Sequence, residues 1–318
     1  MIASVTIGSV QITVWGILAA VLALGAAVYM VFALRRHGWT GLQGILCCLG
    51  ACALALLLGR GVFFALRPEF LTDPMGDYLG LAPLFNPAVG SISIAGVLPG
   101  LLLGSLGAAA LFKKPAAEAW DLFAVPGLLL FAGFRFIEPL TGQGFGPFMT
   151  NPAFCFVPLA MQNGWDGWMF SVCFAEGLLL LGAAVYLGTR KLRTRGWKTL
   201  GALILLSLLQ IIPESLRRDD VLKIFIFARV TQLVYCLAMV VSAVVIWRRA
   251  ARLGTGKGTI LREAGGLLAG IALLVAGEFA LDKMNWPDWA IYLAMGVVLA
   301  GMLAMLLRRL IRTDRQEA

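Results

Sequence analysis

Of the 318 residues, 60% are hydrophobic and only 14% are charged, and the mean hydropathy is +0.88. That balance excludes a soluble globular domain and predicts an all-α integral membrane protein, a polytopic helical bundle. The net charge of +9 lies mostly in a few connections and the C-terminal tail, so it reads as anchoring to an inner leaflet and gives no case for nucleic acid.

At about 20 apolar residues per crossing, the chain yields about nine transmembrane helices, at residues 10–34, 44–66, 89–112, 119–138, 168–188, 199–216, 221–247, 264–281 and 288–307. The first stretch, MIASVTIGSVQITVWG, has no basic leader and runs into a long apolar segment, so it is expected to be a retained span. Arg35, Arg36, Lys113, Lys114, the clusters at 190–198 and 248–262, and Arg308, Arg309, Arg312 and Arg315 make 18 of the 26 basic residues. All lie on one set of connections or the tail, which predicts an outside N-terminus and a cytoplasmic C-terminus.

Span 1 carries Trp15 and Gly16 near its outer end. In span 2, Arg60 has two readings, a snorkelling side chain or the lining of a polar cavity. From Pro68 to Pro87 the density of proline, glycine and aspartate predicts a loop without regular elements. Pro99, Gly100, Gly104, Ser105 and Gly107 predict a kinked third span with a close-packing face.

The fourth span ends in RFIEPLTGQGFG, where Arg135 and Glu138 share a helix face and glycines follow at 142, 144 and 146. A charge in hydrocarbon costs at least ~2.5 kcal/mol, so such residues usually face a bundle interior or a polar cavity. The stretch therefore predicts an anion site, most simply for a lipid phosphate; a mutually neutralising Arg135–Glu138 pair is the alternative. Residues 142–168 are expected to form an outer loop.

Glu176 falls inside span 5, where a neutral interhelical hydrogen bond is the alternative to a functional role. In span 6, Gln210 and Glu214 are four apart, Pro213 is expected to break the helix between them, and Arg217 marks the boundary. Arg229 and Gln232 fall in span 7. Arg229 lies six residues from Lys223 and Gln210 seven from Arg217, so both are expected about 10 Å beneath the outer surface. The six cysteines lack CxxC spacing and His37 is the single histidine, so neither a metal site nor a cofactor is expected.

Several of these stretches, in order, resemble the bacterial prolipoprotein diacylglyceryl transferase family. Trp15-Gly16 stands where the family has tyrosine-glycine, LGRGVFF resembles its Gly-Ala-Arg segment, and GVLPGLLLG is similar to its His-Gly-Gly-Leu-Leu-Gly helix. RFIEPLTGQGFG matches the signature arginine with its Gly-x-x-x-Gly, at Arg135, Gly142 and Gly146. FSVCFAEGLLLL is similar to the Pro-Ser-Gln-Leu-Tyr-Glu stretch at Glu176, and QIIPESLRRDD to Arg-Phe-x-x-Glu-Phe-x-Arg-x-x-Asp, with Glu214, Arg217 and Asp220 in place. RVTQLVYCLAMVV resembles the family's Gly-Gln-Leu-Leu-Ser-Leu helix at Gln232.

The resemblance covers about residues 10–247. It implies a seven-helix membrane domain at 1–252, two added helices with a short basic tail at 253–318, and a place in the bacterial cytoplasmic (inner) membrane. It also implies transfer of a diacylglyceryl group from phosphatidylglycerol to the lipobox cysteine of a prolipoprotein or a related acceptor. Arg135, Glu138, Glu214 and Arg229 are then the catalytic candidates. Arg60, Gly142, Gly146, Glu176, Gln210, Arg217 and Gln232 are the phospholipid-binding ones. Leu98 stands at the family histidine, Pro99 at the next glycine, Gln210 at an essential arginine and Glu138 at an asparagine. Arg229 is the candidate to supply the charge that Gln210 lacks. Two other readings stay open: a non-catalytic relative that binds phospholipid or a partner, and a small-anion transporter.

Overall fold

The computed structural model describes residues 4–7, 10–72, 80–85, 92–162, 167–218 and 229–317. Among them, nine helices are long and apolar enough to cross a membrane, the helix set of a multi-pass membrane protein. They are α1 (Val14–Arg36), α2 (Gly41–Leu66), α4 (Ile94–Leu111), α5 (Ala116–Ile137), α6 (Val172–Thr189), α7 (Trp197–Leu216), α8 (Val230–Arg252), α9 (Lys257–Lys283) and α10 (Asp288–Glu317). A one-turn helix, α3 (Ala82–Phe85), and a 3-10 turn at Pro68–Leu71 lie in the segment expected to be irregular.

The expected spans coincide with these helices, but several ends move. A short hairpin, β1 (Ser4–Ile7) with β2 (Val10–Thr13), precedes α1. The stretch Trp168–Ser171 is a strand rather than the first turn of a helix. It is the central strand β5 of a three-stranded antiparallel sheet with β3 (Phe145–Phe148) and β4 (Ala160–Gln162), so the expected outer loop carries a small sheet. Four residues such as WMFS satisfy either period, and hydrophobicity alone does not separate strand from helix there. Pro213 does not break α7, which runs through it to Leu216; Pro99 and Pro126 likewise lie inside helices. A proline removes one backbone donor, and in membrane helices neighbouring groups compensate.

The chain forms two compact units, residues 1–26 with 124–318, and residues 27–123. In the second unit α4 packs on α2 through glycines. A Cβ on Gly96 would lie 2.0 Å from the Leu58 carbonyl oxygen, one on Gly100 2.6 Å from that of Leu54, and one on Gly104 2.4 Å from that of Gly50. Small residues four apart let two membrane helices touch backbone to backbone, which supplies the packing that lipid does not. Gly107, expected on the same face, meets nothing within 4 Å. Met30, Leu34, Trp39, Cys47, Cys48, Ala109 and Ala119 form a buried cluster in this unit, and the Trp120 indole donates to Leu102 O and Ser105 Oγ.

The core of the first unit is built by α7, α8, α9 and α10. Residues 291, 295, 299, 302, 306 and 310 of α10 recur every three or four positions and are buried against Ile204 and Leu208 of α7 and Met239 and Ile246 of α8. The two C-terminal helices thus share a core with the helices before them. At one end of this core Glu263 accepts from Arg309 Nε at 2.9–3.0 Å and from the Trp247 indole at 3.0 Å. Asp314 receives the Arg193 and Thr194 backbone N–H groups, and Trp197 donates to Glu317. The candidate site lies at the other end of α7, some 30 Å away by the length of a 20-residue helix.

Candidate functional site

Arg135 occupies the last turn of α5, and Glu138 opens the 3-10 turn Glu138–Thr141 that follows. Their spacing brings Arg135 Nη1 to 2.7 Å from Glu138 Oε2. Glu176 of α6 arrives because its neighbour Gly177 seats the Phe136 ring, where a Cβ would meet Phe136 at 2.5 Å. Its Oε2 lies 2.9 Å from Arg135 Nε, as an ion pair rather than an aligned hydrogen bond. Glu214, in the last turn of α7, accepts from Arg135 Nη2 at 3.1 Å. The guanidinium also sits 5.0 Å from the centre of the Phe131 ring. One arginine is thus held by three carboxylates from three segments of chain.

Arg217, the C-cap of α7, adds a second guanidinium. It donates to Glu138 Oε1 and lies 3.6 Å from Glu176 Oε2, so Glu138 bridges the two arginines. Most of the set is buried: Glu176 is 0% exposed, Glu214 1% and Arg217 7%, while the Arg135 and Glu138 side chains keep 11% and 15%. Charges taken out of water at this cost persist only when paired and hydrogen-bonded. Thr231 Oγ1 completes Glu214 by donating to Oε2 at 3.0 Å.

The glycine stretch lies directly against these groups. Gly142 caps the 3-10 turn at φ +75°. Gly144 has φ +84°, and a Cβ there would meet Cys173 Sγ at 2.9 Å and the Glu138 carboxyl carbon at 3.6 Å. Only glycine allows both the left-handed backbone and that approach. Gly146, in β3, sits where a Cβ would meet Val172 at 2.6 Å and the Leu216 carbonyl at 3.3 Å, and Arg218 N–H donates to Phe145 O. The sheet is thereby laid against the end of α7 that carries Glu214 and Arg217.

Arg135, Glu138, Glu176, Glu214 and Arg217 therefore meet in one cluster, with Gly142 and Gly146 in the segment packed against it. Arg229 is placed differently from expectation. It is the N-cap of α8 in extended backbone, not an interior residue of a span, and its guanidinium donates to the Arg217 carbonyl. Lys223, from which its depth was counted, and Asp220 lie outside the described residues. Gln232 donates to Glu278, which also accepts from Ser215, and its own Oε1 caps Arg229 N–H. Gln210 is fully buried, and its amide has no hydrogen-bond partner among the described residues. Arg60 belongs to the other unit, where it donates to the Leu84 and Pro83 carbonyls and stacks on Phe64, holding α3.

Three residues at the cluster escaped the sequence reading: Thr231, Cys173 and Tyr235. Tyr235 is fully buried and within the electrostatic reach of Arg135 and Glu214. The signal for Thr231 and Tyr235 is their spacing of four on α8, which places both on one face. Among the described residues no group of three or more His, Cys, Asp or Glu side chains is arranged to hold a metal ion. The chain matches no protein-family model, and no curated protein matches it.

Proposed function

We propose that this chain is an intramembrane lipid transferase. On this reading it moves a diacylglyceryl group from phosphatidylglycerol to the cysteine thiol of a lipobox or a related acceptor, in the bacterial cytoplasmic membrane, with the N-terminus outside. The observation that carries the reading is the convergence of Arg135 and Arg217 on Glu138, Glu176 and Glu214 beneath the glycine segment. Such a reaction needs cations where a phosphate departs and a base for the thiol, because the thiolate is the nucleophile.

In the proposed step the thiol proton passes to Glu138 or Glu214. The sulfur forms a bond to the glyceryl carbon, the carbon–oxygen bond to phosphate breaks, and glycerol phosphate leaves with the electron pair. Arg135 and Arg217 receive the negative charge, since a guanidinium pair suits a phosphate's oxygens. Glu138 bridges both guanidiniums. A phosphate that takes its place releases the carboxylate as a base at the moment the donor lipid binds, and Arg229 supports Arg217 through its carbonyl.

A second reading, a non-catalytic phospholipid-binding relative, is favoured by the same pairing, because Arg135 already faces three carboxylates, and by Leu98 and Gln210 at the altered positions. Mass spectrometry of a lipobox peptide incubated with the purified protein and phosphatidylglycerol separates the two. A diacylglyceryl gain on the cysteine that is lost in Arg135→Ala supports the transferase. Retention of phosphatidylglycerol dependent on Arg135, with no gain, supports the binder.

A further inference from the structure

At the opposite end of the same unit, α9 and α10 line an open cavity of about 460 Å³. Four arginines line it, Arg262 from α9 and Arg308, Arg309 and Arg312 from α10, against one carboxylate, Glu263. Glu263 is committed to Arg309, which it holds bidentately, and to the Trp247 indole. The other three guanidiniums have no hydrogen-bond or ion-pair partner among the described residues. This is the reverse of the Arg135 cluster, where every guanidinium faces carboxylates.

The remaining wall is apolar and stepped towards the interior of the helices: Gly301, Ala304 and Met305 lie one to two turns up α10 from the arginines. Gly301 is exposed and meets nothing within 4 Å at its missing Cβ, so α10 leaves a notch rather than a knob at that level. Unengaged guanidiniums at the mouth and a small-residue groove above them match an amphipathic anion. Basic pockets between membrane helices are suited to phosphate headgroups. Arg309, fixed by Glu263, gives the cavity a rigid rear wall, while Arg308 and Arg312 are exposed and able to close on a ligand.

We propose that this cavity binds a phosphate-bearing anion, presented as the headgroup of an anionic phospholipid with an acyl chain along Gly301 and Ala304, or as free phosphate. The site is independent of the proposed transferase chemistry.

The test uses the full chain in phosphatidylcholine nanodiscs doped with a diazirine-tagged phosphatidic acid, with crosslinks mapped by peptide mass spectrometry. Labelling is expected on the Gly301–Met305 segment, falling about thirtyfold in Arg308→Gln/Arg312→Gln. A charge-matched control, Arg190→Gln/Arg315→Gln, alters a second basic cavity of about 430 Å³ and should leave that labelling within about twofold. Inorganic phosphate in undoped nanodiscs, read as protection of Arg308 and Arg312 from phenylglyoxal, is the arm for a soluble anion. Protection without lipid labelling assigns the cavity to free phosphate. Equal loss of labelling in both double variants means general surface attraction and overturns the proposal, as does neither labelling nor protection.

Discussion

Changing Arg135 to glutamine removes the group that lies 2.7, 2.9 and 3.1 Å from three carboxylates and leaves them facing Arg217. Glu176 and Glu214 are buried and the Glu138 side chain is only 15% exposed, so little water enters to compensate. Removing one partner of a buried ion pair costs about 3–5 kcal/mol, a large part of the 5–15 kcal/mol typical of a folded domain. The loss comes from the stranded carboxylates rather than from the missing guanidinium. Glu176, the most enclosed, is the one whose removal should help most. Adding Glu176→Gln to Arg135→Gln should therefore return about 2 kcal/mol, a coupling within the range found for residues in one network. Unfolding in mixed micelles of dodecylmaltoside and sodium dodecyl sulfate, followed by the fluorescence of the nine tryptophans, measures both quantities. A cost below about 0.5 kcal/mol for Arg135→Gln, the usual surface value, or strictly additive effects of the two changes, would refute the network described here.

Gly100→Val should destabilise the α2–α4 pair by about 1–3 kcal/mol or more, because its Cβ would press on the Ala55 and Leu54 backbone, whereas Gly107→Ala should be neutral in the same unfolding assay. Glu263→Gln should cost about 1.5–3 kcal/mol by weakening its bonds to Arg309 and Trp247, and should blue- or red-shift the Trp247 emission isolated in a single-tryptophan background. Cys155, half-buried in the segment expected to lie outside, should react with a membrane-impermeant maleimide added to intact cells, while Cys47 and Cys173, both 0% exposed, should not. Labelling of Cys155 only after cell lysis would reverse the expected orientation.

Much of the helix set was legible because an apolar run of some twenty residues has few other solutions. The Arg135–Glu138 contact was legible too, since positions three apart on a helix meet. Glu176 and Glu214 stood out as acids in apolar surroundings, although nothing in their spacing revealed that they share Arg135. That depends on Gly177 seating Phe136 and on α7 continuing through Pro213, both tertiary matters. Gly144 is legible as part of the glycine run, while its positive φ and its contact with Cys173 appear only in the fold. Arg229 caps the described helix that begins at Val230, and its reach to the Arg217 carbonyl depends on that helix end, which a count of apolar residues does not locate. Gly96 carries the closest approach on α4 and was overlooked, since the pattern at Gly100 and Gly104 already satisfied a small-residue reading.

The most direct test of the proposed function is the release of glycerol phosphate from phosphatidylglycerol by the purified protein, measured together with the loss of free thiol on a lipobox peptide. The account predicts one glycerol phosphate released for each thiol consumed, and both signals abolished by Arg135→Ala while phosphatidylcholine in place of phosphatidylglycerol gives neither. No release from phosphatidylglycerol in the presence of the peptide, by a folded protein that still retains the lipid, would contradict it and leave a binding protein.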